Sequence, residues 1–409
     1  MKSSYKKLGK YIQEVNKRDT DKKVTKLLGV SIRKVLMPSI ANIIGTDMST
    51  YKIIQKNQFA YGPVTSRNGD KISVALLDEY DEAIVSQAYT VFEVIDKNEL
   101  LPEYLMMWFR RPEFDRYARF KSHGSAREIF GWDEMCDTEL PIPSIEKQKE
   151  IVKEYHILVN RIELNNQLIT KLEETAQAIY KQWFVDFEFP DANGLPYKSN
   201  GGVMIESELG EIPKGWNVSE IGSEFDITIG RTPPRIERKW FNNSDKESLD
   251  WISIKDIVNS GTYIFNTNES LTMEAIKKFT IPIIPVNTTI LSFKMTVGKL
   301  TITTKEMLSN EAIAHFKITD KTILTTEFIY CFFDVYGFNK LGTTSSIVNS
   351  INTKIIKEIK IIVPTLEVIN NFNKLIKSIF ISKRNTEHQT VLLENLMSLL
   401  LSKMATIEN

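Results

Sequence analysis

With 409 residues, of which 42% are hydrophobic, the chain is long enough for two or more domains with real cores. Its 52 basic and 52 acidic residues balance, which argues against indiscriminate coating of nucleic acid and leaves room for local basic patches. The sequence carries no secretory leader and no apolar run of about eighteen residues, and its two cysteines, Cys136 and Cys331, suggest neither a metal site nor a disulfide framework; a reduced, cytoplasmic protein away from membranes is expected.

Residues 1–143 read as a first globular part of α+β type. Lys71 to Asp78 and Ala83 to Ile95 are rich in β-branched and aromatic residues and bounded by Gly, Asn and Asp, the pattern of strands. Leu101 to Lys121 is helical in pattern, with Tyr104, Trp108 and Phe114 inward and Arg110, Arg111, Arg116 and Arg119 outward. The stretch from Arg110 to Arg127 is the most basic of this part, and Tyr61 to Lys71 is a polar loop.

Residues 144–190 read as one long helix, about forty residues at about 1.5 Å each. Ile151, Tyr155, Leu158, Ile162, Asn165, Ile169, Leu172, Ala176, Ile179 and Trp183 are spaced alternately by four and three, the seam of a coiled coil that needs a partner helix. A linker rich in Gly, Asn and Pro is expected over 191–210. Residues 211–364 form a second globular part, with strands expected at Phe225 to Gly230, Trp251 to Ile257 and Thr288 to Phe293. Phe328 to Gly337 holds the place of the Tyr104 to Arg119 helix. Between these elements, IGRTPPRIERKW forms an extended loop forced by Pro233 and Pro234 and studded with Arg231, Arg235, Arg238 and Lys239.

Residues 365–409 supply the partner helix. Laid with Pro364 on Pro143, the second helix runs in step with the first without a gap, and its seam becomes Phe372, Ile376, Ile379, Lys383, Thr386, Thr390, Leu393, Met397, Leu400 and Met404. The seam is apolar at both ends and polar in the middle. Each helix follows an apolar strand ending in Pro, then Ser144 or Thr365 as N-cap. The chain is therefore a tandem repeat of a globular part and a long helix. The helix pair is either a plain hairpin joining two domains or a spacer that holds two modules apart and offers its outer face to other subunits.

Catalytic chemistry is absent from the pattern. Gly298-Lys299 lacks the upstream glycine and following hydroxyl of a phosphate loop, and no dinucleotide fingerprint or Asn-Pro-Pro-aromatic methyltransferase signature occurs. The four histidines, His123, His156, His315 and His388, have no metal-ligand companion at helical spacing, so neither catalytic nor metal-binding residues are assigned.

WFVDFEFP (Trp183 to Pro190), GLPYKSNGG (Gly194 to Gly202), ELGEIPKGW (Glu208 to Trp216), GRTPP (Gly230 to Pro234), WISIKDI, ILSFKMTVGKLTI (Ile290 to Ile302) and IVSQAYTVFEV (Ile84 to Val94) carry a resemblance that covers essentially the whole chain. The sequence resembles the specificity subunits of Type I restriction-modification enzymes. The resemblance implies two target-recognition domains, each reading half of a bipartite site on double-stranded DNA, separated by two long antiparallel helices forming a coiled-coil spacer. It also implies docking of two modification subunits, which bring S-adenosylmethionine and methylate adenine, and of restriction subunits that use ATP and magnesium. No cofactor is expected on this chain. The seam residues Ile151, Leu158, Ile162, Ile169, Leu172, Ile179, Phe372, Ile379, Leu393 and Leu400 belong to the spacer and docking element. The donors best suited to DNA are Tyr61, Arg67, Lys71, Lys121, His123 and Arg127 in the first domain, with Arg231, Thr232, Arg235, Arg238, Lys239, Lys294 and Lys299 in the second. Two alternatives stand beside this reading: a DNA-modifying enzyme acting alone, and a coiled-coil scaffold with no DNA role.

Overall fold

The structure, a computed structural model, describes residues 5–406 apart from 22, 40–46, 67, 70, 124–127, 242–246, 295, 321 and 338–351. The chain divides into two compact units, Met1–Ile162 with Leu392–Asn409, and Glu163–Val391, so each unit contains part of both long helices.

In the first unit, Ile12–Val15, Thr90–Val94, Gln58–Gly62 and Ser73–Leu76 form an antiparallel sheet in that order. A second sheet has the order Leu36–Pro38, Leu27–Val30, Glu82–Val85 and Lys52–Gln55. The two-residue alternation of strand side chains explains why Gln58–Gly62 is buried up to its half-buried last residue. Phe59 and Tyr61 face the main core with Phe92, Tyr104 and Phe109, whereas Ala60 faces a smaller cluster with Leu28, Ile54 and Val91. Phe59 stacks on Phe92 at 4.8 Å, and Phe109 meets it edge-on.

The helix expected over Leu101 to Lys121 is two helices, Pro102–Arg110 and Pro112–Lys121. Pro112 drives the preceding residue out of the helical region, and Arg111 is extended at φ −69°, ψ 134°. Arg111 is consequently buried, its guanidinium 4.1 Å from the Trp108 ring centroid, and Arg110 donates to the Tyr155 hydroxyl at 2.8 Å. Neither points outward as the helical pattern implied.

In the second unit, a five-stranded sheet has the order Phe225–Ile229, Ile313–Ile318, Thr289–Ser292, Leu300–Thr303 and Tyr263–Ile264. A three-stranded sheet of Glu269–Leu271, Leu249–Ile252 and Leu308–Ser309 accompanies it. Helix Thr326–Tyr336 packs Phe328, Ile329 and Phe333 into the core with Leu291, Ile302 and Phe316. The strand expected over Trp251 to Ile257 ends at Ile252, where Ser253 and Asp256 form a capping box that starts helix Ile254–Asn259.

Both units close in the same way. The strand that leads into each long helix pairs antiparallel with a strand at the start of its globular part, Glu139–Pro141 with Tyr5–Lys7 and Lys360–Val363 with Asn217–Glu220. The duplication read from the sequence is thus a duplication of topology.

The first long helix runs Ile145–Phe184 and the second Leu366–Lys403, each shorter than the sequence implied. After Phe184 the chain turns through Phe187 at φ +61°, because Phe187 and Phe189 are drawn against Trp216 at 5.8 and 4.9 Å. The stretch expected as a linker is folded onto the second unit. Tyr197 stacks on Phe189, and the Asp191 carboxylate accepts the backbone N–H groups of Asn193 and Leu195.

All positions of the four-and-three pattern on both helices are buried or half-buried. Within the second unit the helices run antiparallel: Tyr180, Trp183 and Phe184 surround Phe372, while Asn165 lies opposite Gln389 and Thr390. In the first unit, Ile151 and Tyr155 share a core with Leu401 and Met404. No helix among the described residues is long and apolar enough to cross a membrane.

Candidate nucleic-acid interface

The loop after strand Phe225–Ile229 is built rather than slack. Gly230 lies against Ser309, whose carbonyl oxygen a Cβ at Gly230 would approach to 2.0 Å, so only glycine lets the two backbones meet. The Arg231 N–H then donates to the Ser309 carbonyl at 2.9 Å, and the Trp251 indole N–H donates to the Arg231 carbonyl at 3.2 Å. Three side chains of the loop are tied down. Arg231 donates to the Phe279 carbonyl at 3.0 Å, and Thr232 donates to the Glu311 carboxylate. Arg235 donates to both oxygens of Glu269 at 2.7 Å while lying 4.6 Å from the Phe241 centroid and 4.7 Å from that of Trp251.

Beneath the loop base, His315 is fully buried between Thr228, 3.1 Å from Nδ1, and Ser309, 2.7 Å from Nε2. Ser309 gives its own hydrogen to the Asn310 carbonyl, which leaves it as acceptor for an Nε2–H and fixes Nδ1 as acceptor of the Thr228 hydroxyl. Burial away from water, with Lys317 adding to the effect, holds the His315 pKa down to about 3, so the ring is neutral.

The further cations of the loop, Arg238 and Lys239, are exposed; Lys239 lies 3.6 Å from the Glu237 carboxylate and 4.4 Å from the Trp240 centroid, with Lys278 at 4.7 Å from the same ring. Lys294 and Lys299 are also exposed, on the turn between strands Thr289–Ser292 and Leu300–Thr303. The Thr232 hydroxyl, and beyond it the charges of Lys294 and Arg235, hold the Glu311 carboxyl below the usual range, which places these groups around one acid. Sequence reasoning missed Glu269, Glu311 and Lys278. Nothing local marks them, because their role comes from the loop they meet in space.

In the first unit, the two segments singled out by charge lie side by side. Thr65 N–H donates to the Glu128 carbonyl, Phe130 N–H to the Pro63 carbonyl, and the Thr65 hydroxyl to Ser122 Oγ at 2.9 Å. Lys71, Lys121 and His123 are exposed there. Arg119 pairs with Glu128, and Arg116 with Glu113 at 3.2 Å. Arg67 and Arg127 lie outside the described residues. Tyr61 is not a surface donor. It is fully buried and gives its hydroxyl hydrogen to the Phe130 carbonyl at 3.0 Å, so its role is to hold these two segments together. Among the described residues no cluster of three or more His, Cys, Asp or Glu is placed to hold a metal.

Residues 16–174 and 213–387 match one family, the Type I restriction modification DNA specificity domain, twice in tandem. The chain belongs to that family. Its function is accordingly that of a Type I specificity subunit, and the basic loops described above lie within the two matched stretches. The chain is 24% identical to the HindI specificity subunit of Haemophilus influenzae, covering 89% of this chain and 91% of that one. It is 25% identical to the MjaIX specificity subunit of Methanocaldococcus jannaschii over 76% of this chain and 70% of that one. The crystal structure of a Type-I restriction-modification S subunit from M. genitalium superposes with a TM-score of 0.57 over 99% of this chain and 96% of that one at 11% identity, a likeness of fold.

Proposed function

We propose that this specificity subunit reads a bipartite sequence on double-stranded DNA, with residues 1–143 as one target-recognition domain and 211–364 as the other. The observation that carries the reading is the duplication itself: two globular parts with the same closure, each matched to a DNA specificity domain and each running into a long helix. Two different readers in one polypeptide suit a target whose halves differ. The paired helices serve as spacer, and their outer faces dock two modification subunits, with restriction subunits joining in a larger complex. Adenine methylation then belongs to the modification subunits with their S-adenosylmethionine, and ATP and magnesium to the restriction subunits. This chain contributes recognition and does no chemistry of its own, acting in the cytoplasm where the DNA is. In the two domains, the exposed cations Lys71, Lys121, Arg238, Lys239, Lys294 and Lys299, with the exposed His123 ring as a hydrogen-bonding group, supply the contacts to phosphates and base edges.

The test is single-molecule sequencing of DNA from cells that express this chain with its cognate modification subunit. Methylated adenines in a split motif with a gap of constant length are expected. Methylation with no split motif would refute the assignment, whereas a stable complex on DNA that leaves it unmethylated would point to an inactive partner or a regulatory role.

A further inference from the structure

Among the large apolar side chains of the described residues, two stand apart in exposure: Ile236 at 92% and Phe120 at 81%, the next being 58%. Singly exposed apolar residues are ordinary on a protein surface, but their distribution here is not that of a scatter. One lies in each unit, and each lies inside the basic segment already implicated in DNA contact. Ile236 sits between Arg235 and Arg238, and Phe120 between Arg119 and Lys121, with Arg116 one turn before and His123 just after.

The backbone beneath each is fixed. Ile236 is third in the turn Pro234 to Glu237, closed by the Glu237 N–H donating to the Pro234 carbonyl at 3.1 Å. That turn is held by the Arg235–Glu269 pair and by the contacts of Arg231 and Thr232. Phe120 lies in the last turn of helix Pro112–Lys121, where Ser122 Oγ donates to the Ala118 carbonyl at 2.7 Å and accepts the Thr65 hydroxyl. Each unit thus presents an exposed apolar side chain on an ordered backbone, with an exposed cation close by in sequence, Arg238 for Ile236 and Lys121 for Phe120, while Arg235, Arg119 and Arg116 are paired with acids.

An exposed lysine or arginine is drawn to phosphate, and the apolar tip beside it would be carried toward the duplex. DNA offers such a tip an apolar base surface in two forms, the 5-methyl group of thymine in the major groove and the face of an unstacked base step. We propose that Ile236 and Phe120 are specificity-determining contacts, one for each half-site, that bury against a base. This inference rests on the two-reader assignment and deepens it.

The experiment uses the full chain in complex with its modification subunits and a duplex bearing the motif mapped by sequencing, with Ile236→Ser, Phe120→Ser and the conservative Ile236→Leu. Each serine variant is expected to weaken binding about tenfold, as loss of one buried apolar contact implies, with Ile236→Leu near wild type. The slope of log affinity against log salt stays unchanged, because no phosphate contact is lost. Each serine variant also becomes indistinguishable from wild type on a duplex whose own half-site is scrambled, and not on one scrambled in the other half. Deoxyuridine for thymine weakening wild type but not the serine variant identifies a methyl contact. A bright 2-aminopurine signal present in wild type and lost in the variant identifies an unstacked step. Serine variants that bind the intact motif like wild type, or lose equally on every sequence, overturn the proposal alone. A wild-type complex that prefers no bipartite motif overturns the two-reader assignment along with it.

Discussion

Arg235 illustrates how a residue chosen for its chemistry is given another task by its neighbours. An arginine in a proline-rich loop is a natural base reader, yet both Glu269 oxygens hold this one and two aromatic rings lie against it. Held in this way it shapes the loop, and any effect on DNA is expected to run through the loop. Arg235→Ala is therefore expected to weaken binding at the second half-site, and Glu269→Gln to do the same to a smaller degree, measured as Kd on matched and scrambled duplexes. A direct reader would instead be freed by the Glu269 change, with binding left intact or tighter. His315 carries a prediction of a different kind. Its pKa lies near 3 in the folded chain and near 6.5 when unfolded, so the unfolded state takes up the proton first. Stability contributed by the neutral ring is whole above about pH 6.5 and is lost as pH falls toward 3, with a slope approaching about 1.4 kcal/mol per pH unit. Chemical denaturation over a pH series should show that slope, and His315→Asn should flatten it.

At the scale of elements, the middle of the second long helix looked too polar for a helix pair. The reason is that this face meets more than a helix. Lys383 is buried beside the Glu173 carboxylate, and Asn165 donates to Gln389 at 3.2 Å and Thr390 at 3.1 Å. Glu387 accepts the backbone N–H groups of Thr262 and Tyr263 at 2.9 and 2.8 Å, fastening the edge strand Tyr263–Ile264 to the helix. Burial brings the Lys383 pKa down to about 8 against the opposing pull of Glu387 and pushes the Glu387 carboxyl up. Glu387→Leu leaves two buried N–H groups unpaired and removes a counter-charge, and should destabilise the chain by about 3 kcal/mol in denaturant unfolding, more than Glu387→Gln, which keeps an acceptor. The four-and-three seam was legible because helical periodicity is a local property. The break before Pro112 and the capping box at Ser253 and Asp256 were also written locally, but were outweighed by the apolar pattern around them. Tyr61 was not legible. Its burial depends on two cores meeting on either side of one strand, and no spacing along the chain reports that. The same holds for Arg235 and Thr232, whose availability is decided by Glu269 and Glu311, acids distant in sequence.

For the whole molecule, the repeat gives each unit a globular part that its own long helix leaves behind and the other helix returns to. Residues Leu392–Asn409 belong to the same compact unit as Met1–Ile162, with Leu401 and Met404 buried beside Leu8 and Trp108, and the Tyr5 hydroxyl donates to the Ala405 carbonyl at 2.9 Å. The second unit, Glu163–Val391, is by contrast one uninterrupted stretch. Order of synthesis therefore differs from order of completion. The first unit emerges from the ribosome first and waits for its closing residues until Glu163–Val391 has been made, about 10–50 s at the usual elongation rate of roughly 5–20 residues per second. During that interval the surface of Leu8, Trp108, Ile151 and Tyr155 that receives Leu401 and Met404 is open, a window for chaperones or for aggregation, while the later-made unit already has all its parts.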